Sequence, residues 1–173
     1  VVTGLAWTSA GGEILFIETA KIHGDGKVKV TGQLGDVMKE SVQIALTLVK
    51  SMFPEEAEVL KEADLHIHVP AGAVPKDGPS AGITIVTALT SMLLNKGISP
   101  EFAMTGEVSL RGGVMPIGGL PEKLMAAQRA GVKHVFIPYE NVDNLDDVAD
   151  EVKEKLEITP VKTVQEVLKQ VLK

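Results

Sequence analysis

Apolar residues recur along this chain in two rhythms, and the rhythm changes at glycine and proline. Met38, Val42, Ala45, Val49 and Met52 return at helical spacing between Gly35-Asp36 and Pro54, which predicts one amphipathic helix. A short helical stretch is expected next, between Glu55 and Ala63. The run from Ile83 to Leu94, apolar with interspersed threonines, is compatible with a helix. Leu124, Ala127 and Gln128 continue another, which Gly131 ends at the position that favours left-handed backbone. Val142, Leu145, Val148, Val152 and Leu156 mark an acidic helical stretch with a solvated face. Val164, Val167, Leu168, Val171 and Leu172 line one side of a final helix, for which Thr163 and Glu166 make a capping box.

The second rhythm is the two-residue alternation of strands. Val1 to Trp7 and Ile14 to Glu18 are short strands split by Gly11-Gly12, and Lys27 to Val30 follows the Gly24-Asp25-Gly26 turn. Asp64 to Val69 alternates, which puts His66 and His68 on one face. Phe102 to Thr105, Glu107 to Leu110 and Val114 to Ile117 come next, the last two joined by Arg111-Gly112-Gly113; Val135 to Ile137 and Ile158 to Val161 complete the set. Strands and helices interleave irregularly, with hairpin-like turns as well as crossovers, so the expected class is α+β in a single domain.

Composition narrows the chemistry. At 173 residues the chain can bury a core without staples, and with no cysteine it has no disulfide framework, thiolate metal site or cysteine nucleophile. The longest apolar stretch is too short to cross a bilayer, and no signal peptide is visible, so a cytoplasmic setting without membrane contact is expected. The formal charge of −6 argues against nucleic acid as a direct partner. Val1 opens directly on a strand, so the chain reads as a piece of a longer one.

Two loops carry candidate chemistry. In Pro75-Lys76-Asp77-Gly78-Pro79-Ser80-Ala81-Gly82, Pro79 suits the first position of a helix, which makes Gly78 the expected cap and puts Ser80 in the first turn. Backbone N–H groups there, and the positive end of the helix dipole, would stabilise an oxyanion beside Ser80; they would equally hold a phosphate. Gly118-Gly119-Leu120-Pro121-Glu122-Lys123 repeats the grammar, with Lys123 in the first turn. The helix dipole and burial beside Leu120 and Leu124 would both push Lys123 towards the neutral amine. The His66 and His68 pair invites a metal, but no carboxylate stands at ligand spacing, so two polar strand residues and no metal are expected.

These two loops, with Met104-Thr105-Gly106-Glu107 between them, resemble the proteolytic domain of the Lon family of ATP-dependent proteases. The resemblance continues through Thr3-Gly4-Leu5-Ala6-Trp7, Ile17-Glu18-Thr19-Ala20, His66-Ile67-His68-Val69-Pro70, Ile137-Pro138 and Glu140-Asn141, in the manner of the bacterial A-type branch. It implies a fold like the second domain of ribosomal protein S5 and a homohexameric ring. It also implies a serine endopeptidase acting on unfolded or damaged proteins in protein quality control. Ser80 is then the nucleophile and Lys123 its base. No cofactor is implied in this domain, ATP and Mg being used by an ATPase module elsewhere in the parent chain. Pro121 stands where many relatives carry a polar residue, a change harmless at a helix start.

On that reading Thr105, in its polar turn, is the candidate to orient the amine, or else only a threonine at a strand end. The amide of Ser80 with that of Asp77 or Gly78 would bind the oxyanion, and Glu18, His66, His68 and Asp77 are candidates for supporting the site or gating its loop. Trp7 fits either the core or a substrate-facing surface. Two other classes stay open: a phosphate-binding enzyme, although the chain lacks G-x-x-x-x-G-K-[ST], and a non-catalytic module that builds a ring for a motor.

Overall fold

A long antiparallel hairpin starts the structure. β1 (Val2–Thr8) pairs with β2 (Gly11–His23) from Val2↔Ile17 to Thr8↔Gly11. The computed structural model describes residues 1–8, 11–70 and 78–172, and within β1 the side chains of Trp7 and Thr8 lie outside that description. Gly11 and Gly12 thus begin β2, which runs on to His23, five residues beyond the expected Glu18. β3 (Val28–Thr31), α1 (Asp36–Met52), the single turn α2 (Pro54–Ala57) and a 3₁₀ segment (Glu58–Glu62) follow, and then β4 (Ala63–His68).

The second half comprises α3 (Gly82–Leu94), β5 (Phe102–Met104), the small hairpin β6 (Glu107–Val108) and β7 (Val114–Met115), and α4 (Leu120–Arg129). β8 (His134–Pro138), a 3₁₀ segment (Tyr139–Asp147), α5 (Asp150–Lys155), β9 (Glu157–Val161) and α6 (Val164–Val171) complete it. The acidic stretch expected as one helix is therefore split into a 3₁₀ segment and a short α-helix.

One mixed sheet, in the order β3-β4-β2-β1-β5-β8-β9, carries the molecule. Only β1–β2 and β2–β4 are antiparallel; the other pairs are parallel, so the α+β fold has a mostly parallel sheet. Strand alternation divides the apolar residues between its faces. Val2, Leu15, Ile17, Leu65, Ile67, Met104 and Phe136 point to the side where α1 and α3 pack. Leu5, Ala103, Val135 and Ile137 point to the other, against Leu120, Leu124 and Ala127 of α4. α3 is buried almost all round, and the hydroxyls of Thr87 and Thr90 are satisfied within it by the carbonyls of Ile83 (2.9 Å) and Val86 (2.8 Å). The far half of the α4 face, built by β2, β4 and β3, carries exposed Phe16, Glu18 and Ile22.

Candidate functional site

The two motif helices lie on opposite faces of the sheet, and both begin near the end of β5. Alternation along that strand sends Ala103 towards α4 and Met104 towards α3, so the next side chain, Thr105, turns to α4. There it meets Lys123. The Lys123 ammonium group donates to Thr105 Oγ1 over 3.3 Å, with both side chains buried, at 2% and 1% exposure. Desolvation disfavours the charged form, and it pulls the amine from 10.5 down to about 8. The sequence-based expectation of a lysine driven towards neutrality thus rests on burial.

Gly106 makes the connection to the other face. Its N–H donates to the Ser80 carbonyl (2.9 Å), and its own carbonyl accepts from Ile83 N–H (3.0 Å). A side chain could not stand here, because a Cβ on Gly106 would lie 2.6 Å from Val114 Cγ1. Thr105 N–H is fixed in turn by the Phe136 carbonyl of β8, at 3.1 Å. Ser80 and Lys123 are therefore attached to adjacent residues, Ser80 through its carbonyl to Gly106 and Lys123 through its amine to Thr105.

The chain around Ser80 differs from expectation. α3 starts at Gly82 with Ala81 as its cap, so Ser80, half-buried, stands one residue outside the helix, and neither Gly78 nor Pro79 is a helix-start position. A turn closed by Gly82 N–H on the Pro79 carbonyl (3.1 Å) precedes it, and Gly78 takes a left-handed φ of 121°. The reason is tertiary: Gly106 takes the Ser80 carbonyl and the Ile83 N–H, two groups that a helix begun at Pro79 would use in its own first bonds, while Gly82 N–H closes the local turn on Pro79. Any oxygen bound beside Ser80 must draw on amides upstream of position 82. Asp77, with the rest of 71–77, lies outside the described residues.

α4 begins one residue ahead of the start expected from Pro121 at the first helical position: Gly119 is the cap, at φ 71°, and Pro121 takes the second position. Gly131, at φ 82°, follows its end.

The sequence matches, over residues 1–173, the family described as Lon protease (S16) C-terminal proteolytic domain. It is 59% identical over 172 residues to a Lon protease of Clostridium beijerinckii, covering 99% of this chain and 22% of that protein. A Lon protease of Methanosarcina barkeri is 53% identical over 174 residues (99% and 22%), and one of Haemophilus influenzae 55% over 170 (96% and 21%). The chain belongs to the Lon protease family. The family read from the motifs is thereby established for it. The chain spans about a fifth of the length of these curated relatives.

Within this Lon domain the remaining candidates stand apart from Thr105 and Lys123. His66 Nε2 and His68 Nδ1 both bond to Thr31 Oγ1, at 2.8 and 2.7 Å, on the part of the sheet that α4 leaves uncovered. Exposed Glu18 is opposite His68 in the β2–β4 register. Among the described residues no hydrogen bond links these three to Ser80, Thr105 or Lys123. No group of three His, Cys, Asp or Glu that could hold a metal occurs among the described residues, and no helix there is long and apolar enough to cross a membrane.

Two contributors to this Lon site escape a reading from residue type alone. Gly106 looks like an ordinary turn glycine, and only its packing shows why a side chain is excluded. Asn141, 3% exposed, had a place in the family resemblance but no role. Its Oδ1 accepts from Ile117 N–H (2.9 Å), and its Nδ2 donates to the Ile117 carbonyl (2.9 Å) and to Asn144 Oδ1 (2.8 Å). It grips the backbone just ahead of Gly118-Gly119 and so anchors the lead into α4. A polar residue soon after the apolar strand β8 was its only sequence signal.

Proposed function

We propose that this chain hydrolyses peptide bonds with a Ser80–Lys123 dyad, a variant of the serine triad in which one neutral amine serves as base. The observation that carries the reading is the buried amine of Lys123, brought down to about 8 and held against Thr105, whose neighbour Gly106 holds Ser80.

Neutral Lys123 takes the proton of Ser80 as its Oγ attacks the scissile carbonyl. As ammonium it protonates the departing amine, and the cycle repeats with water attacking the acyl-enzyme. Thr105 orients the amine by accepting from it. The amides of Ser80 and of Gly78 or Asp77 hold the oxyanion, consistent with the helix amides at 82 and 83 being engaged elsewhere. That same engagement disfavours a phosphate site at the start of α3.

The substrates are unfolded or damaged proteins in the cytoplasm, delivered by an ATPase module of the parent chain that uses ATP and Mg. The fold is that of the second domain of ribosomal protein S5, in a single domain that assembles as a homohexamer, and Glu18, His66 and His68 support the site from the neighbouring sheet surface. Ser80→Ala should abolish both peptide cleavage and covalent labelling by a serine-reactive peptide phosphonate, and Lys123→Ala should slow labelling at least ~10²-fold. Mass-spectrometric mapping of the phosphonate to another residue, or a normal rate in Lys123→Ala, overturns the dyad.

A further inference from the structure

We infer that Gly12 is a positioning residue for Lys123: β2 crosses the first turn of α4 so closely there that only a residue without a side chain lets the helix start where its amine meets Thr105. A Cβ built on Gly12 would lie 2.0 Å from the Glu122 carbonyl oxygen, 2.5 Å from the carbonyl carbon and 3.0 Å from the Lys123 amide nitrogen. All three atoms are backbone, so no rotamer change relieves the overlap. Unstrained contact needs ~3.5 Å between carbons, so strand and helix must part by roughly an ångström.

The need is for space rather than for an unusual backbone. Gly12 has an ordinary φ, whereas its neighbour Gly11 has φ +113° and open space where its Cβ would point. The pair that reads as a hairpin glycine doublet thus holds two different requirements. Gly12 stands near the start of β2, where the strand is paired to β1 alone (Trp7↔Gly12), beyond the stretches that β4 holds from Glu18 and β5 holds at Thr3 and Gly4. The hairpin end and the first turn of α4 therefore share the displacement. The bond from Lys123 to Thr105, at 3.3 Å, is already near the long end of the useful range, so a shift of α4 by even ~0.5 Å breaks it. The displaced helix also lets water reach the amine.

The inference rests on the Ser80–Lys123 reading, but its first readout does not. Competitive acetylation of amines across pH, resolved by mass spectrometry, follows the midpoint of Lys123 directly, and phosphonate labelling of Ser80 follows the reaction. Gly12→Ala is expected to melt cooperatively, to move the Lys123 midpoint upward from about 8 by at least ~0.5 pH unit as burial is lost, and to slow labelling at pH 7.5 by roughly 10- to 100-fold. The acid limb of the pH profile should move with the midpoint, whereas a mere loss of folded protein would lower the profile without moving it. Gly11→Ala strains the hairpin without touching α4 and should leave the midpoint in place.

A folded Gly12→Ala with the original midpoint overturns the inference, as does an equal shift in Gly11→Ala. Should Gly12→Ala not fold, Ile14→Ala is read in the same way. It removes a side chain of the same strand that packs against the apolar cluster to which Leu120 and Leu124 belong, and it should shift the midpoint in the same direction by less. If Lys123→Ala labels at the normal rate, the dyad fails while the acetylation midpoint still decides the role of Gly12.

Discussion

Burying a lysine costs stability, and the pH at which the cost disappears can be worked out. In the unfolded chain the amine keeps its proton up to 10.5, whereas in the folded protein it loses it above about 8. Between those values the unfolded state binds the extra proton, so folding stability rises with pH across the window. Below about 8 the folded protein carries the whole penalty, on the order of 3 kcal/mol. Lys123→Met should therefore be more stable than the parent at pH 7 by roughly 1 to 3 kcal/mol, and urea unfolding at pH 10 should show the gap nearly closed. Peptide cleavage should show the matching acid limb, rising as pH passes about 8. Thr105 tests the other half of the contact. Thr105→Val keeps the volume and removes the acceptor, so kcat on a fluorogenic peptide should fall roughly 10-fold or more with little change in KM, and Thr105→Ser should restore most of it.

At the scale of elements, the start of each motif helix is set differently. Lys123 was legible because Gly119, Pro121 and the apolar spacing after them all favour a helix there, and no tertiary bond contradicts them. The start of α3 was misplaced because Pro79 is only a weak helix-start preference, and the two bonds that Gly106 makes, to the Ser80 carbonyl and from the Ile83 N–H, override it. The second half of β2 was missed for a related reason. Glu18, Ala20 and Ile22 face the uncovered side of the sheet, so burial does not sharpen the alternation there. The final cap stands where expected, with Thr163 accepting from Glu166 N–H, and only the reciprocal bond is offset by one residue: the Glu166 carboxylate accepts from Lys162 N–H rather than from Thr163 itself. Asn141 gives the prediction at this scale. Asn141→Leu would leave the half-buried N–H and carbonyl of Ile117 without their partner, at about 2 to 4 kcal/mol. A melting temperature lower by roughly 5 to 15 °C in calorimetry is the expected result.

Across the whole molecule, β5 sits between β1 and β8 with one motif helix on either side, and its carboxyl end is where the two beginnings converge. Class and strand content could be read from the sequence, but this convergence could not, since residue spacing does not say which face of a sheet a helix will cover. The proposed nucleophile and base, and the threonine between them, all lie within these residues, and on that proposal cleavage of short unstructured peptides should proceed at the same rate with and without ATP and Mg. A fluorogenic peptide assay on the chain decides this, and acceleration by ATP would place a nucleotide site inside it. The split also governs when the enzyme becomes dangerous. Ser80 comes from one layer and Lys123 from the other, and the hydrogen bonds described between the two run through Thr105 and Gly106, just after β5. On the proposed dyad, a nascent copy whose β8 has not yet docked, or one locally melted along that seam, displays a serine with nothing to deprotonate it, and so cannot digest itself or the chains folding beside it.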